Sequence, residues 1–307
     1  MKRSIAHWLS ILVVTLAALL VPNKSASAAP NPKPFESRTA DVEGVRFHYL
    51  TAGQGEPLIL LHGYAQTSGM WATVIPQFAE RFRVIAPDLP GIGNSSIPAD
   101  GLDIKTAAIR VHALAKSLNV QRARVVGHDI GLMVAYAYAA QFPNEVAKLV
   151  VMDAFLPGVG TWEDTYHNPS LWHFTFNGPT AEALVKGRER MYFDHFWNDF
   201  AADEARSVSE ADRKAYATAY ARPGRMRAGW AYFAAFPQTA KDFAQLAKTK
   251  LTMPVLVMAG EKAAGNSLGE QFKLVASNVT VVVLENTGHW LIDERPKETT
   301  ATLEGFL

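Results

Sequence analysis

The chain has 307 residues, enough for one large domain or a core with a smaller insert. Its hydrophobic fraction of 49% and charged fraction of 19% are those of a globular enzyme, and a formal net charge of +1 gives no electrostatic footprint for nucleic acid or another polyanion. There is no cysteine, which excludes disulfides, thiolate metal sites and a cysteine nucleophile.

The chain opens on Lys2 and Arg3, an apolar run from Leu9 to Val21, and small residues at Ala26 and Ala28 in an A-x-A cleavage pattern. The apolar run spans about 13 residues, short of the ~20 that cross a bilayer. Residues 1–28 are therefore expected to be a signal peptide cut after Ala28. The mature protein is expected to be secreted or periplasmic, of bacterial type, with no stable membrane association. Removal of Lys2, Arg3 and Lys24 takes the formal charge from +1 to −2.

A Pro-rich lead (Pro30, Pro32, Pro34) precedes the first strand pattern, residues 45–51, and a turn at Gly53–Gly55. Residues 58–61 are a short apolar run of the kind buried in a parallel sheet. The spacing predicts a helix over 70–82, a strand over 83–86, a loop over 88–93 and an amphipathic helix over 104–118. A strand over 124–127, a helix over 132–141 and a strand over 147–152 follow. From Phe155 to Pro237 no strand pattern occurs, and the segment is rich in aromatic residues and helix formers. The alternation resumes with a strand at 255–259, a helix at 268–276, a strand at 279–284 and a last helix after Pro296. Alternating strands and helices predict a mostly parallel sheet covered on both faces, with a helical insert over 155–237 between core segments 29–154 and 238–307.

Gly127-His128-Asp129-Ile130-Gly131 joins an apolar strand to a helix rich in small residues. This is a G-x-nucleophile-x-G turn, with Asp where esterases carry Ser. A carboxylate with an ordinary pKa near 3.9 is already ionised at neutral pH and can attack a saturated carbon to form an ester. Helix capping is the bland alternative for Asp129. His62-Gly63-Tyr64-Ala65 follows the strand at 58–61, and the backbone N–H groups of Tyr64 and Ile130 are the candidate oxyanion hole. His289, after the last strand, stands in the right chain order for a base that activates water. Two carboxylates could orient it: Asp153 at the end of one strand, or Glu261 after the next.

These motifs resemble the epoxide hydrolase branch of the α/β-hydrolase superfamily, and most closely the secreted Cif-type epoxide hydrolases. The matching segments are His62-Gly63-Tyr64-Ala65-Gln66-Thr67, Ala86-Pro87-Asp88-Leu89-Pro90-Gly91, Gly127-His128-Asp129-Ile130-Gly131, Leu171-Trp172-His173-Phe174, Gly187-Arg188-Glu189-Arg190 and Gly288-His289-Trp290-Leu291. The resemblance implies an α/β-hydrolase fold with a helical cap, Asp153 as the acid, and ring-opening donors supplied by the cap. His173 matches the first donor. The second falls near Tyr232 and Phe233, with Tyr232 the residue able to donate and Phe233 a wall of the site. Ala65 departs from the pattern, because many relatives carry proline there.

The expected function is hydrolysis of a small-molecule epoxide to a vicinal diol through an ester on Asp129, with no metal or organic cofactor. The family leaves room for a homodimer. A haloalkane dehalogenase is the alternative, with the Trp172 indole N–H as halide donor. Haloacetates are disfavoured, because Ile130, Gly131, Leu132 and Met133 offer no Arg to hold a carboxylate. A non-catalytic ligand-binding or host-interaction protein on the same fold is the third reading, motivated by Phe233.

Overall fold

The computed structural model describes residues 35–307, so the expected signal peptide and the Pro-rich lead lie outside the described residues. Eight strands form one sheet in the order β1-β2-β4-β3-β5-β6-β7-β8. They are β1 (Glu36–Val42), β2 (Val45–Ala52), β3 (Glu56–Leu61), β4 (Phe82–Pro87), β5 (Ala123–His128), β6 (Val146–Met152), β7 (Val255–Gly260) and β8 (Val279–Leu284). The pairs β1/β2 and β2/β4 are antiparallel, and every other neighbouring pair is parallel. The parallel centre explains the unbroken apolar runs: Leu58–Leu61 and all of β7 are buried on both faces.

β1 escapes the pattern reading because ESRTADV has no alternation and lies exposed at the sheet edge. Its hairpin partner is set by Glu43 and Gly44, both with positive φ (46° and 72°), the geometry of a two-residue turn between twisted strands. The single helix expected over 70–82 is also corrected. Residues Ser68–Trp71 form a 3-10 turn capped by Thr67, and α1 is only Ile75–Phe78. Pro76 lacks the N–H that a continuous helix needs there, so it can only start a helix.

α2 (Ile104–Ser117) is capped by Asp103, whose carboxylate accepts from Thr106 N at 2.8 Å. α3 (Ile130–Gln141) is buried at every residue from Ile130 to Ala139, which accounts for its lack of a polar face. Past β6 the chain forms α4 (Trp162–Tyr166), a 3-10 segment (Pro169–Phe174), α5 (Pro179–Val185), α6 (Glu189–Asp199), α7 (Glu210–Tyr220) and α8 (Arg225–Ala234). α9 (Phe236–Leu246) leads back onto the core, packing on α2 and α3, with Phe243 edge-on to Tyr136 at 4.9 Å. The chain closes with α10 (Gly265–Val275), α11 (Leu291–Glu294) and α12 (Pro296–Phe306).

The sheet order reverses at β3, which has β4 on one side and β5 on the other. A crevice opens at the carboxyl ends of strands at such a point. The loops after β3 and β5, which carry the His-Gly and Asp129 motifs, meet there.

Candidate active site

Asp129 stands alone between β5 and α3 with φ 54° and ψ −125°, a backbone conformation costly for a side chain larger than glycine. Three glycines make room for it. A Cβ on Gly63 would lie 2.7 Å from Asp129 Cβ, one on Gly127 would strike Gly131 O, and one on Gly131 would strike Leu61 O and His62 O. The spacing of the motif is thus a packing requirement between the β3 loop and the β5–α3 turn.

The Tyr64 N–H donates to Asp129 Oδ1 at 2.7 Å, and the Ile130 N–H follows directly at the start of α3. Burial raises the Asp129 pKa from its ordinary value, while nearby His289 and the backbone N–H groups of Tyr64 and Ile130 counter it. The other oxygen, Oδ2, lies 3.8 Å from His289 Nε2, beyond hydrogen-bond reach. One carboxylate oxygen is therefore held in the hole and the other is free to attack.

His289 Nδ1 donates to Asp153 Oδ1 at 3.2 Å. Asp153 follows β6, is buried, and also accepts from Gly260 N at 2.6 Å and Ala264 N at 3.3 Å. Burial alone would lower the His289 pKa. The bond to Asp153 and the charges of Asp153, Asp129 and Glu294 outweigh it, so the pKa is raised. Of the two acids that the sequence leaves open, the structure brings Asp153 to His289. Glu261 is exposed, accepts from Asn286 N and pairs with Lys262.

The neighbouring histidines hold the loops. His62 Nε2 accepts from Leu89 N and its Nδ1 donates to Gly63 O, which fixes its tautomer. Burial, then the charge on His289, push the His128 pKa well down, and its Nε2–H donates to His289 O at 2.9 Å. Ala65 has φ 59°, which a proline cannot adopt, so the residue that many relatives carry would not fit this backbone.

The cap closes a cavity of about 230 Å³ over Asp129 and His289. Its walls include Met133, Phe155, Leu171, Phe174, Phe200 and Phe233, and exposed Asn168, Ser170, Asp199 and Lys262 ring its mouth. His173 also lines it, buried, with its Nδ1 lacking any hydrogen-bond partner. Burial, and then the charges of His195 and His289, lower the His173 pKa to about 3, so the ring is neutral and carries one N–H.

Two expectations for the cap are corrected. Tyr232 is fully buried and its hydroxyl donates to Pro90 O at 2.8 Å, away from the cavity. Its neighbour Phe233 faces the cavity instead, because adjacent helix positions point about 100° apart. Trp172 is not among the cavity-lining residues either. It is 36% exposed and its indole N–H donates to His195 Nε2 at 3.2 Å, so the proposed halide donor is turned outward. Among the described residues no group of three or more His, Asp or Glu is placed to hold a metal ion.

A family model of the alpha/beta hydrolase fold matches residues 56–296, and the chain belongs to that family. It is 34% identical over 265 residues to the soluble epoxide hydrolase of Corynebacterium sp. (strain C12), covering 84% of this chain and 92% of that protein. It is 27% identical over 288 residues to the fluoroacetate dehalogenase of a Burkholderia species, covering 89% and 94%. The solved structure of the epoxide hydrolase CorEH without ligand matches with a TM-score of 0.81 at 32% identity, covering 89% of this chain and 98% of that one.

Proposed function

We propose that this protein is an epoxide hydrolase that converts small epoxides to vicinal diols through an ester on Asp129. The observation that carries the reading is the division of labour on one carboxylate. Oδ1 is held by Tyr64 N–H, Oδ2 is free, and a neutral histidine N–H from the cap shares the cavity. In the first step Oδ2 bonds to an epoxide carbon and the carbon–oxygen bond breaks. His173 hydrogen-bonds the departing oxygen, which takes a proton from water through the cavity mouth. His173 thus acts as a hydrogen-bond donor rather than an acid, because its ring is already neutral.

Ester formation removes the negative charge of Asp129, one of the causes that raise the His289 pKa. The imidazole then releases its proton more readily and takes one from water as that water attacks the ester carbonyl. Tyr64 and Ile130 N–H groups stabilise the oxyanion. The intermediate collapses, the diol oxygen takes the proton from His289, and Asp129 is restored with one oxygen from water. Relatives named epoxide hydrolase support this reading, and the outward turn of Trp172 removes the specific support for a haloalkane substrate.

A panel of 1,2-epoxyhexane, styrene oxide and 1-bromobutane tests it. Diol formation is expected from the epoxides, with no bromide release. His289→Gln should trap an adduct on Asp129, heavier than the enzyme by the mass of the epoxide. Absence of both diol and adduct sinks the proposal. Export completes the reading: within the family we place the chain with the secreted Cif-type enzymes. The leader pattern supports this, and exported protein should begin at Ala29 on N-terminal sequencing.

A further inference from the structure

Glu294, on α11, is a buried carboxylate that the proposed reaction does not use: only 3% of it is exposed. Its Oε2 accepts from Gly288 N at 3.0 Å and from Ala202 N at 2.9 Å, and its Oε1 accepts from Trp290 N at 3.1 Å. Two of these N–H groups flank His289, and the third lies just past cap helix α6. The His289 N–H itself donates to Phe200 O at 2.8 Å, and the Trp290 indole donates to Phe196 O at 3.2 Å. The fit is close, since a Cβ on Gly288 would strike Phe200 O. The same helix reaches the oxyanion loop, where the Tyr64 hydroxyl donates to that of Tyr192 at 3.3 Å.

We propose that Glu294 is a positioning residue that ties the His289 loop to the end of α6, so that the seating of the cap sets the base for ester hydrolysis. Its carboxylate supplies more acceptor sites than a neutral side chain of its size, and three N–H donors converge on it. A carboxamide cannot accept at both oxygens, because one becomes a donor facing an N–H. Loss of the tie moves His289 without touching Asp129 or the cap donor, so the two chemical steps respond unequally. This assignment rests on the two-step hydrolytic reading.

Glu294→Gln tests it under single-turnover conditions with styrene oxide, following alkylated enzyme by mass. Decay of the adduct is expected to slow by about tenfold or more, while its formation changes by less than about threefold. NMR titration of His289 should show its pKa falling, since Glu294 is one of the charges that raise it along with Asp153 and Asp129. His128 and His173, the other titratable rings beside it, remain neutral. Glu294→Asp keeps the acceptors on a shorter arm and should fall between Gln and the parent. It carries the comparison if the Gln variant does not fold. Adduct decay at the parent rate, or equal slowing of both steps, overturns the assignment. If the parent turns over no epoxide, the function fails, and an unchanged His289 titration in Glu294→Gln separately overturns the role of Glu294.

Discussion

The core half and the cap half of the site differ in how their reactive groups are held, by hydrogen bonds in one and by aromatic packing in the other. In the core half, both Asp153 oxygens accept hydrogen bonds, Asp129 Oδ1 accepts from Tyr64, and both nitrogens of His62 are engaged. In the cap half, His173 has a buried Nδ1 with no partner, among rings of Phe174, Phe196 and Phe233 at 4.7–5.3 Å. An unmet buried polar atom of this kind costs about 1–3 kcal/mol. The core half is preorganised for chemistry common to many substrates. Over Asp129 the cap half sets His173 among apolar walls.

Variants sharpen the contrast, from the largest effect downward. Asp129→Ala should abolish adduct and product, a loss of about 10⁴-fold or more in turnover, because it removes the carboxylate held by the Tyr64 N–H beside His289. Asp153→Asn should cost about 10³–10⁴-fold in ester hydrolysis. It also removes the bond and charge that raise the His289 pKa, so the acid limb of the hydrolysis step should move to lower pH even as the rate falls. His173→Phe should slow adduct formation by about 10²-fold while adduct decay changes little, as measured by quenched-flow mass spectrometry. An equal loss in both steps would break the division between the halves. Tyr232→Phe should leave turnover within about twofold of the parent and cost about 1 kcal/mol of stability from the lost bond to Pro90 O.

The seam between the halves has its own pH signature. Burial, with Asp212 and Glu294 nearby, raises the Asp293 pKa to about 7. The folded value lies above the unfolded one, so this contribution to stability is full below about pH 4 and is lost as pH rises through 7. Asp293→Asn should therefore raise Tm at pH 8, by an amount equivalent to about 1 kcal/mol, and the gain should vanish near pH 4. A gain that is the same at both pH values would refute the assignment.

Most of the core could be read along the chain, because each element there has a local cause. Apolar runs became β3, β5, β6 and β7, and the glycines around Asp129 announced a turn where only small residues fit. Helix 70–82 failed because Pro76 was outweighed by apolar spacing, and β1 was missed because an exposed edge strand needs no alternation. Glu294 was missed for a related reason. Asp293-Glu294-Arg295 reads as a charged surface run, and only the fold shows three N–H groups converging on its middle residue.

What the sequence determined by itself is the chemistry of the core loops: a carboxylate in a nucleophile turn, a histidine after the last strand, and N–H donors at fixed offsets. Those positions are set by short-range backbone geometry. The tertiary structure brought Asp153 to His289, turned the Tyr232 hydroxyl to Pro90 and swung Trp172 outward. Each of those choices depends on the rotation of one packed element against another, which neighbouring residues along the chain do not encode.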